Sequence, residues 1–171
     1  VEQSTFPNEI PQVIAAEPDA VFYAGYEVEA PYLRFELVEA GMDAAFLASD
    51  GAFLTDTIDQ AGSAAEGMYV SAFGPRPGAA VDETWIKEYQ AVEYRNPDTY
   101  SINGYSALQV LAEGVKKAGT FDAAQVANAI RSLPAVETPM GSLSYNTEGD
   151  LEDQKIYIFQ VKDGDWMQVY P

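Results

Sequence analysis

The sequence contains no histidine and no cysteine in 171 residues. Without histidine there is no Ser-His-Asp relay, and the commonest general base and transition-metal ligand are gone. Without cysteine there is no disulfide, thiolate nucleophile or cysteine-ligated metal, though this alone fixes no compartment. An enzyme on this chain would have to work with carboxylates, tyrosine or lysine. Positive charge is also scarce: nine basic residues face 27 acidic ones, for a net charge of -18. Such a field repels phosphate backbones, which excludes nucleic acid as a partner. No apolar run reaches membrane-spanning length, and neither GxGxxG nor GxxxxGK[ST] occurs, so the usual phosphate-cradling loops are missing and no cofactor is expected. The run Asn146, Glu148, Asp150, Glu152 is acidic enough for calcium, but glycine falls at its fourth position and Tyr157 at its twelfth, the wrong places for a calcium loop. What is present, 47% hydrophobic and 12% aromatic residues, excludes a disordered chain.

The organising stretch is Pro18 to Gly51. Ala20, Val21, Phe22 and Tyr23 form a short run that is apolar on both faces, which predicts a strand buried inside a parallel sheet. The segment APYLRFELVEAG then has helical spacing, with Tyr32, Phe35 or Leu37, Val38 and Ala40 as its inward face and Gly41 as its stop. A second apolar run, Ala44 to Leu47, ends in Ser-Asp-Gly. Strand, crossover helix and strand make a parallel α/β unit, and in such sheets ligands sit beyond the carboxyl ends of the strands. Tyr26 and Asp50 fall at two such ends and are the leading site candidates.

Around this unit the chain alternates. NEIPQVIAAEPD predicts a short helix with Ile10, Val13 and Ile14 on one face, preceded by a loop at VEQSTF. FLTDTIDQAG predicts another helix, and Ala64 to Phe73 a third strand. GPRPGAA, Gly74 to Ala80, is the clearest compositional break and suits a surface loop or a crossing between lobes. Three helices follow. The first has Asp82 as N-cap and Trp85, Tyr89 and Val92 inward; the second has Tyr105, Leu108, Leu111 or Ala112, and Val115 as its stripe; the third opens on Asp122 and Gln125 and faces Val126, Ile130 and Leu133 inward. Trp85 and Tyr105 are expected to pack on helix faces. The last thirty residues alternate as strands do, and Lys162-Asp163-Gly164-Asp165 predicts a tight hairpin.

Taken in order, PDAVFYAGY, ASDG, AGSAAEGMYV, YSINGYSALQVLAEGVKKAG and GSLSYNTEGDLEDQKIYIFQV resemble the C-terminal half of a periplasmic binding protein. The family is that of the leucine/isoleucine/valine-binding proteins of ABC importers, and the resemblance covers nearly the whole chain. It implies a type I periplasmic-binding fold: two α/β lobes of parallel sheets flanked by helices, joined by three crossing strands, with ligand between the lobes. Residues 1–73 would belong to the second lobe, 74–154 would carry the crossover and the closing helices of the first lobe, and 155–171 would return to the second. Most of the first lobe is then absent, so the piece is expected to leave apolar surface uncovered and to need its N-terminal part as a partner.

The resemblance also implies roles. Tyr26 matches the ligand-contacting tyrosine at the end of the YGGY-like strand. Asp50 matches the acid that pairs with the ligand α-ammonium group; leucine receptors usually carry glutamate there, one methylene longer. Tyr100 is the nearest match to an aromatic that lines the cleft. The implied function is the non-enzymatic substrate-binding subunit of an ABC importer for an amino acid, branched-chain or similar, with the membrane permease as partner and a periplasmic or extracellular location, with or without a lipid anchor. A ligand-sensing domain of a receptor or regulator on the same fold is the alternative, separable by a fused signalling domain; a carboxylate-dependent enzyme would show as turnover.

Overall fold

The computed structural model describes residues 3–171. The helix predicted to follow VEQSTF is α1, Glu9–Ala15; of the loop expected before it, Val1 and Glu2 lie outside the described residues. The chain divides into two compact units, one made of the described residues up to Phe73 together with Ile156–Pro171, the other of Gly74–Lys155.

The first unit is a sheet with helices on one side. Its elements are α1, β1 (Ala20–Tyr23), α2 (Ala30–Glu39), β2 (Ala45–Ala48), α3 (Thr55–Ala61), β3 (Tyr69–Ala72), β6 (Tyr157–Lys162) and β7 (Asp165–Tyr170). The strand order is β1-β2-β3-β6-β7. β1, β2 and β3 run parallel, as helical crossovers require, whereas β6 and β7 are antiparallel additions, so the sheet is mixed and not purely parallel. Asp163 and Gly164 turn the β6-β7 hairpin at φ 53° and 74°, left-handed values that an Asp-Gly pair tolerates.

Alternation along the strands decides where the core lies. Val21, Phe46, Ala48, Val70, Ala72, Phe159, Val161 and Trp166 share one face, which packs on Ile10 and Val13 of α1, Leu33 and Leu37 of α2, and Ile58 and Ala61 of α3. Phe53 stacks on Phe159 at 4.3 Å between ring centroids and meets Trp166 edge-on at 5.5 Å, closing the core against the hairpin. Arg34 reaches from α2 to donate from Nε to the Ala64 carbonyl at 2.8 Å; burial holds its pKa below the usual guanidinium range.

Two sequence expectations fail in this unit. β1 is not buried on both faces: it is the edge strand, and Phe22 is 62% exposed. A short apolar run signals two covered faces only if something covers both, and here the helices all lie on one side. On α2 the inward residues are Ala30, Pro31, Leu33 and Leu37, while Tyr32 and Phe35 point outward. Apolar residues surround that helix, so periodicity could not select the face; the sheet did.

The second unit is helical with a small hairpin: α4 (Pro77–Ala80), α5 (Glu83–Glu93), α6 (Thr99–Ala118), α7 (Ala123–Arg131), β4 (Val136–Thr138) and β5 (Gly141–Leu143). The caps follow the sequence. Asp82 accepts from the Trp85 amide at 2.9 Å and Asp122 from the Gln125 amide at 3.0 Å. Gly119 ends α6 with φ 66°. On α7 the predicted face holds, with Val126 buried and Ile130 against Gly114, but on α6 it does not. α6 buries Ile102, Ser106, Val110 and Gly114, and leaves Tyr105, Leu108 and Leu111 exposed; Val92 of α5 is exposed as well. The cause is close packing of α6 on α7. A Cβ on Gly114 would lie 2.4 Å from Ile130 Cγ1, so at that level only glycine lets α7 come this close. Leu108 and Leu111 line an apolar groove of about 590 Å³ with Phe121, Val126 and Ile130. Trp85 stacks on Tyr89 at 5.4 Å and meets Tyr105 edge-on at 5.5 Å, the helix-face packing expected of it. Asn146 Oδ1 accepts the amides of Gly149 and Asp150, each at 2.9 Å, so part of the acidic run is a side-chain-closed turn.

Candidate functional site

Tyr23 pairs with Ala48 across the parallel β1-β2 ladder, so both strands finish at the same level and their loops emerge side by side. Ser49 extends that contact: its amide donates to the Tyr23 carbonyl at 2.9 Å, and its hydroxyl to the Gly25 carbonyl, also at 2.9 Å. One turn further, the Glu27 amide donates to the Gly51 carbonyl at 3.0 Å. Three hydrogen bonds therefore tie the Tyr26 loop to the Asp50 loop.

Gly51 is the closest point between them. A Cβ there would lie 2.7 Å from the Gly25 carbonyl oxygen and 2.9 Å from Tyr26 Cδ1, so only glycine lets the tyrosine ring rest on this backbone. The Tyr26 carbonyl accepts the Ala30 amide at 3.0 Å and so starts α2, which anchors the loop at its far end. The tyrosine itself remains 67% exposed, and Asp50 opens a single 3-10 turn, Asp50–Ala52, in a half-buried position.

A second tyrosine braces the loop from beneath. Tyr23 donates from its hydroxyl to Glu29 Oε2 at 2.9 Å, and its ring occupies the space a Cβ on Gly25 would need. Burial, then the hydrogen bond and the charge of Glu29, push the Tyr23 phenol up to about 12, so it stays a donor at physiological pH. Glu27, Glu29 and Asp50 make this end of the sheet acidic. A cationic group suits it, because charge-assisted hydrogen bonds to a carboxylate are the strong ones. A polar recess of about 370 Å³ lies alongside, lined by Gln3, Ser4, Glu27, Val28, Tyr32, Asp56 and Gln60; Tyr26 and Asp50 are not among its walls.

Of the residues singled out from the sequence, Tyr26 and Asp50 are thus brought together. Tyr100 belongs to the other unit, in the first turn of α6, where its amide donates to Asp98 Oδ1 at 3.0 Å. Ser49, Gly51 and Glu27 were missed. Ser49 and Gly51 flank Asp50 in the Ser-Asp-Gly motif, which signals a turn but not the carbonyl that its serine reaches. Among the described residues no group of three or more histidine, cysteine or carboxylate side chains is placed to hold a metal ion.

Residues 1–165 match the model of a family described as periplasmic binding protein. Leu/Ile/Val-binding protein homolog 3 of Brucella melitensis is 30% identical over 154 residues, covering 88% of this chain and 41% of that protein. The leucine-, isoleucine-, valine-, threonine- and alanine-binding protein of Pseudomonas aeruginosa is 31% identical over 143 residues, 82% of this chain and 37% of its own length. Among solved structures, a leucine-binding protein of Thermotoga maritima superposes with a TM-score of 0.84 at 24% identity, over 97% of this chain and 48% of that one. The isoleucine complex of a branched-chain amino acid transporter substrate-binding protein from Streptococcus pneumoniae gives 0.79 at 18% identity, over 99% and 49%. The chain therefore spans about two fifths of the curated relatives and about half of the solved structures. Residues 1–165 of its 171 match the family model, and its α/β architecture is shared with solved binding proteins; the chain belongs to the periplasmic binding protein family.

Proposed function

We propose that this chain is the C-terminal half of the substrate-binding subunit of an ABC importer, and that the complete protein captures a branched-chain or similar amino acid between two lobes. The observation that carries the reading is the joined pair of strand-end loops, in which Tyr26 rests on Gly51, the residue next to Asp50, at an acidic sheet end. In this reading the Asp50 carboxylate takes the ligand α-ammonium group and Tyr26 covers it, while Tyr100 approaches from the other lobe. The names of the relatives, a Leu/Ile/Val-binding protein homolog and a leucine-, isoleucine-, valine-, threonine- and alanine-binding protein, support the ligand class.

The lobes are assigned accordingly. Residues 1–73 and 155–171 form most of the second lobe and 74–154 the closing part of the first, in keeping with the two compact units. The N-terminal part supplies the rest of the first lobe, including the hydroxyls and amides that hold the ligand carboxylate. Binding closes the lobes about the crossing strands, and the closed form is what the membrane permease receives. No bond is made or broken, so no catalytic residue is assigned. A periplasmic or extracellular location, free or lipid-anchored, follows from that role.

Calorimetric titration of the complete polypeptide with an amino-acid panel tests it. Saturable, stoichiometric heat with leucine, isoleucine or valine is expected; a protein that takes none of the panel would overturn the reading.

A further inference from the structure

Tyr23 ends β1, and its ring is anchored on the core, stacked on Phe46 with 6.4 Å between centroids. From there the side chain runs beneath the Tyr26 loop and donates to Glu29 Oε2. One hydrogen bond thus ties the last residue of the strand to the residue that opens α2. Between them lie Ala24 to Val28, the loop that carries Tyr26. The phenol also sets how that loop lies. A Cβ on Gly25 would sit 2.2 Å from Tyr23 Cζ and Oη, so the backbone rests directly on the ring.

Glu29 holds the N-cap position of α2, where a side-chain oxygen ordinarily accepts an amide of the first turn. Its carboxylate turns back to Tyr23 instead, and α2 starts on the Tyr26 carbonyl, which takes the amides of Glu29 at 3.3 Å and Ala30 at 3.0 Å. The loop is therefore fastened above to the Asp50 loop, through Ser49 and Glu27, and below to Tyr23. The Tyr26 ring is 67% exposed, so the backbone beneath it, more than packing around it, sets its place. We infer that Tyr23 and Glu29 are positioning residues for the amino-acid ligand: their hydrogen bond holds the Tyr26 loop in its binding shape, and neither touches the ligand. This deepens the ligand reading proposed above and rests on it. A loop that leaves its binding shape nine-tenths of the time weakens apparent affinity by about ten-fold. A hydrogen bond to a carboxylate is strong enough to govern such a shift.

Leucine titration of the complete polypeptide, with amide hydrogen exchange of the ligand-free protein, tests the pair. Tyr23→Phe keeps the ring on Phe46 and Glu29→Leu removes the acceptor; each is expected to bind leucine roughly ten-fold more weakly. In both, the Glu27 amide that donates to Gly51 should exchange faster before ligand is added. Glu29→Gln keeps an acceptor for the phenol and should stay within about three-fold of the parent affinity. The double variant Tyr23→Phe/Glu29→Leu should bind no more weakly than the weaker single variant, because both changes remove the same bond. Unchanged affinity in Tyr23→Phe overturns the inference, even if the Glu27 amide exchanges faster, since the bond would then serve the fold alone. Glu29→Gln binding as weakly as Glu29→Leu overturns it too, because the charge of Glu29 would then act on the ligand directly. A parent protein that takes neither leucine, isoleucine nor valine defeats the ligand reading and this inference together; a parent that binds, with variants that bind equally well, defeats only the inference.

Discussion

At Asp50 the reading depends on one charge. Asp50→Asn keeps the shape and removes the anion, and loss of a charge-assisted bond in a closed cleft costs about 2–5 kcal/mol of affinity, roughly thirty-fold to several-thousand-fold. Tyr26→Phe removes one neutral hydrogen bond at most and costs about 0.5–1.5 kcal/mol. Tyr26→Phe is not expected to alter the unfolding midpoint without ligand. Titration of leucine, isoleucine and valine into the complete protein measures both, and unchanged affinity in Asp50→Asn would remove that residue from the site. Gly51→Ala separates geometry from charge. Its methyl would press on the Gly25 carbonyl at 2.7 Å, a backbone atom that cannot swing aside, so the two loops must part. A stability loss of about 1–3 kcal/mol is expected from chemical denaturation, accompanied by weaker binding although no ligand-facing atom has been deleted.

Along the elements, the caps at Asp82, Asp122 and Gly119 were legible, whereas the Asp98 cap and the inward faces of α2 and α6 were not. Asp98 shows a cap with a pH signature: it accepts from the amides of Tyr100 and Ser101, and the Ser101 hydroxyl accepts from the Asp98 amide at 3.1 Å. Partial burial works to raise the Asp98 pKa, but hydrogen bonds from Arg95 and Ser101 outweigh it and hold the carboxyl below the usual carboxylate range. A depressed folded value means that the stabilisation is present above the ordinary carboxylate pKa and is lost as pH falls through the folded value. Asp98→Ala should therefore cost about 1 kcal/mol at pH 7, with the gap to the parent protein narrowing as pH is lowered below about 4 in urea titrations. On α2 the contrast lies between two residues that periodicity treated alike. Leu37 is fully buried and Phe35 is 48% exposed. Leu37→Ala is expected to cost about 2–5 kcal/mol and Phe35→Ala under about 1, as read from the same denaturation curves; the reverse order would put Phe35, not Leu37, on the inward face.

For the whole molecule, charge is unevenly shared. Residues 1–73 and 156–171 carry fifteen acids against only Arg34 and Lys162, while the remaining twelve acids share their stretch with seven bases. The ion pairs Glu83–Lys87, Arg95–Asp98, Glu113–Lys116 and Asp153–Lys155 all lie in that second stretch. Repulsion among the acids of the first unit should be relieved by screening, since the Debye length falls from about 10 Å at 0.1 M salt to about 3 Å at 1 M. The melting temperature of the 171-residue chain is expected to rise between these concentrations of sodium chloride, and a flat or falling trend would count against self-repulsion. The same chain exposes Phe22 and Met167 in one unit and Leu108 and Phe121 in the other, so it should bind an apolar dye or self-associate. A monodisperse monomer without dye binding would argue that these faces need no cover.

The sequence by itself determined the alternation of strands and helices, the hairpin at Asp163-Gly164, the helix caps and the two strand ends that carry Tyr26 and Asp50. Each depends on residues within a few positions of one another, where turn chemistry and backbone freedom act. Tertiary structure alone decided which apolar residues face inward. Tyr32, Phe35, Tyr105 and Leu108 are as apolar as those that are buried, and only the sheet beneath α2 or the helix beside α6 separates them. The seating of Tyr26 on Gly51 belongs there too, since that contact exists only once two parallel strands lie side by side.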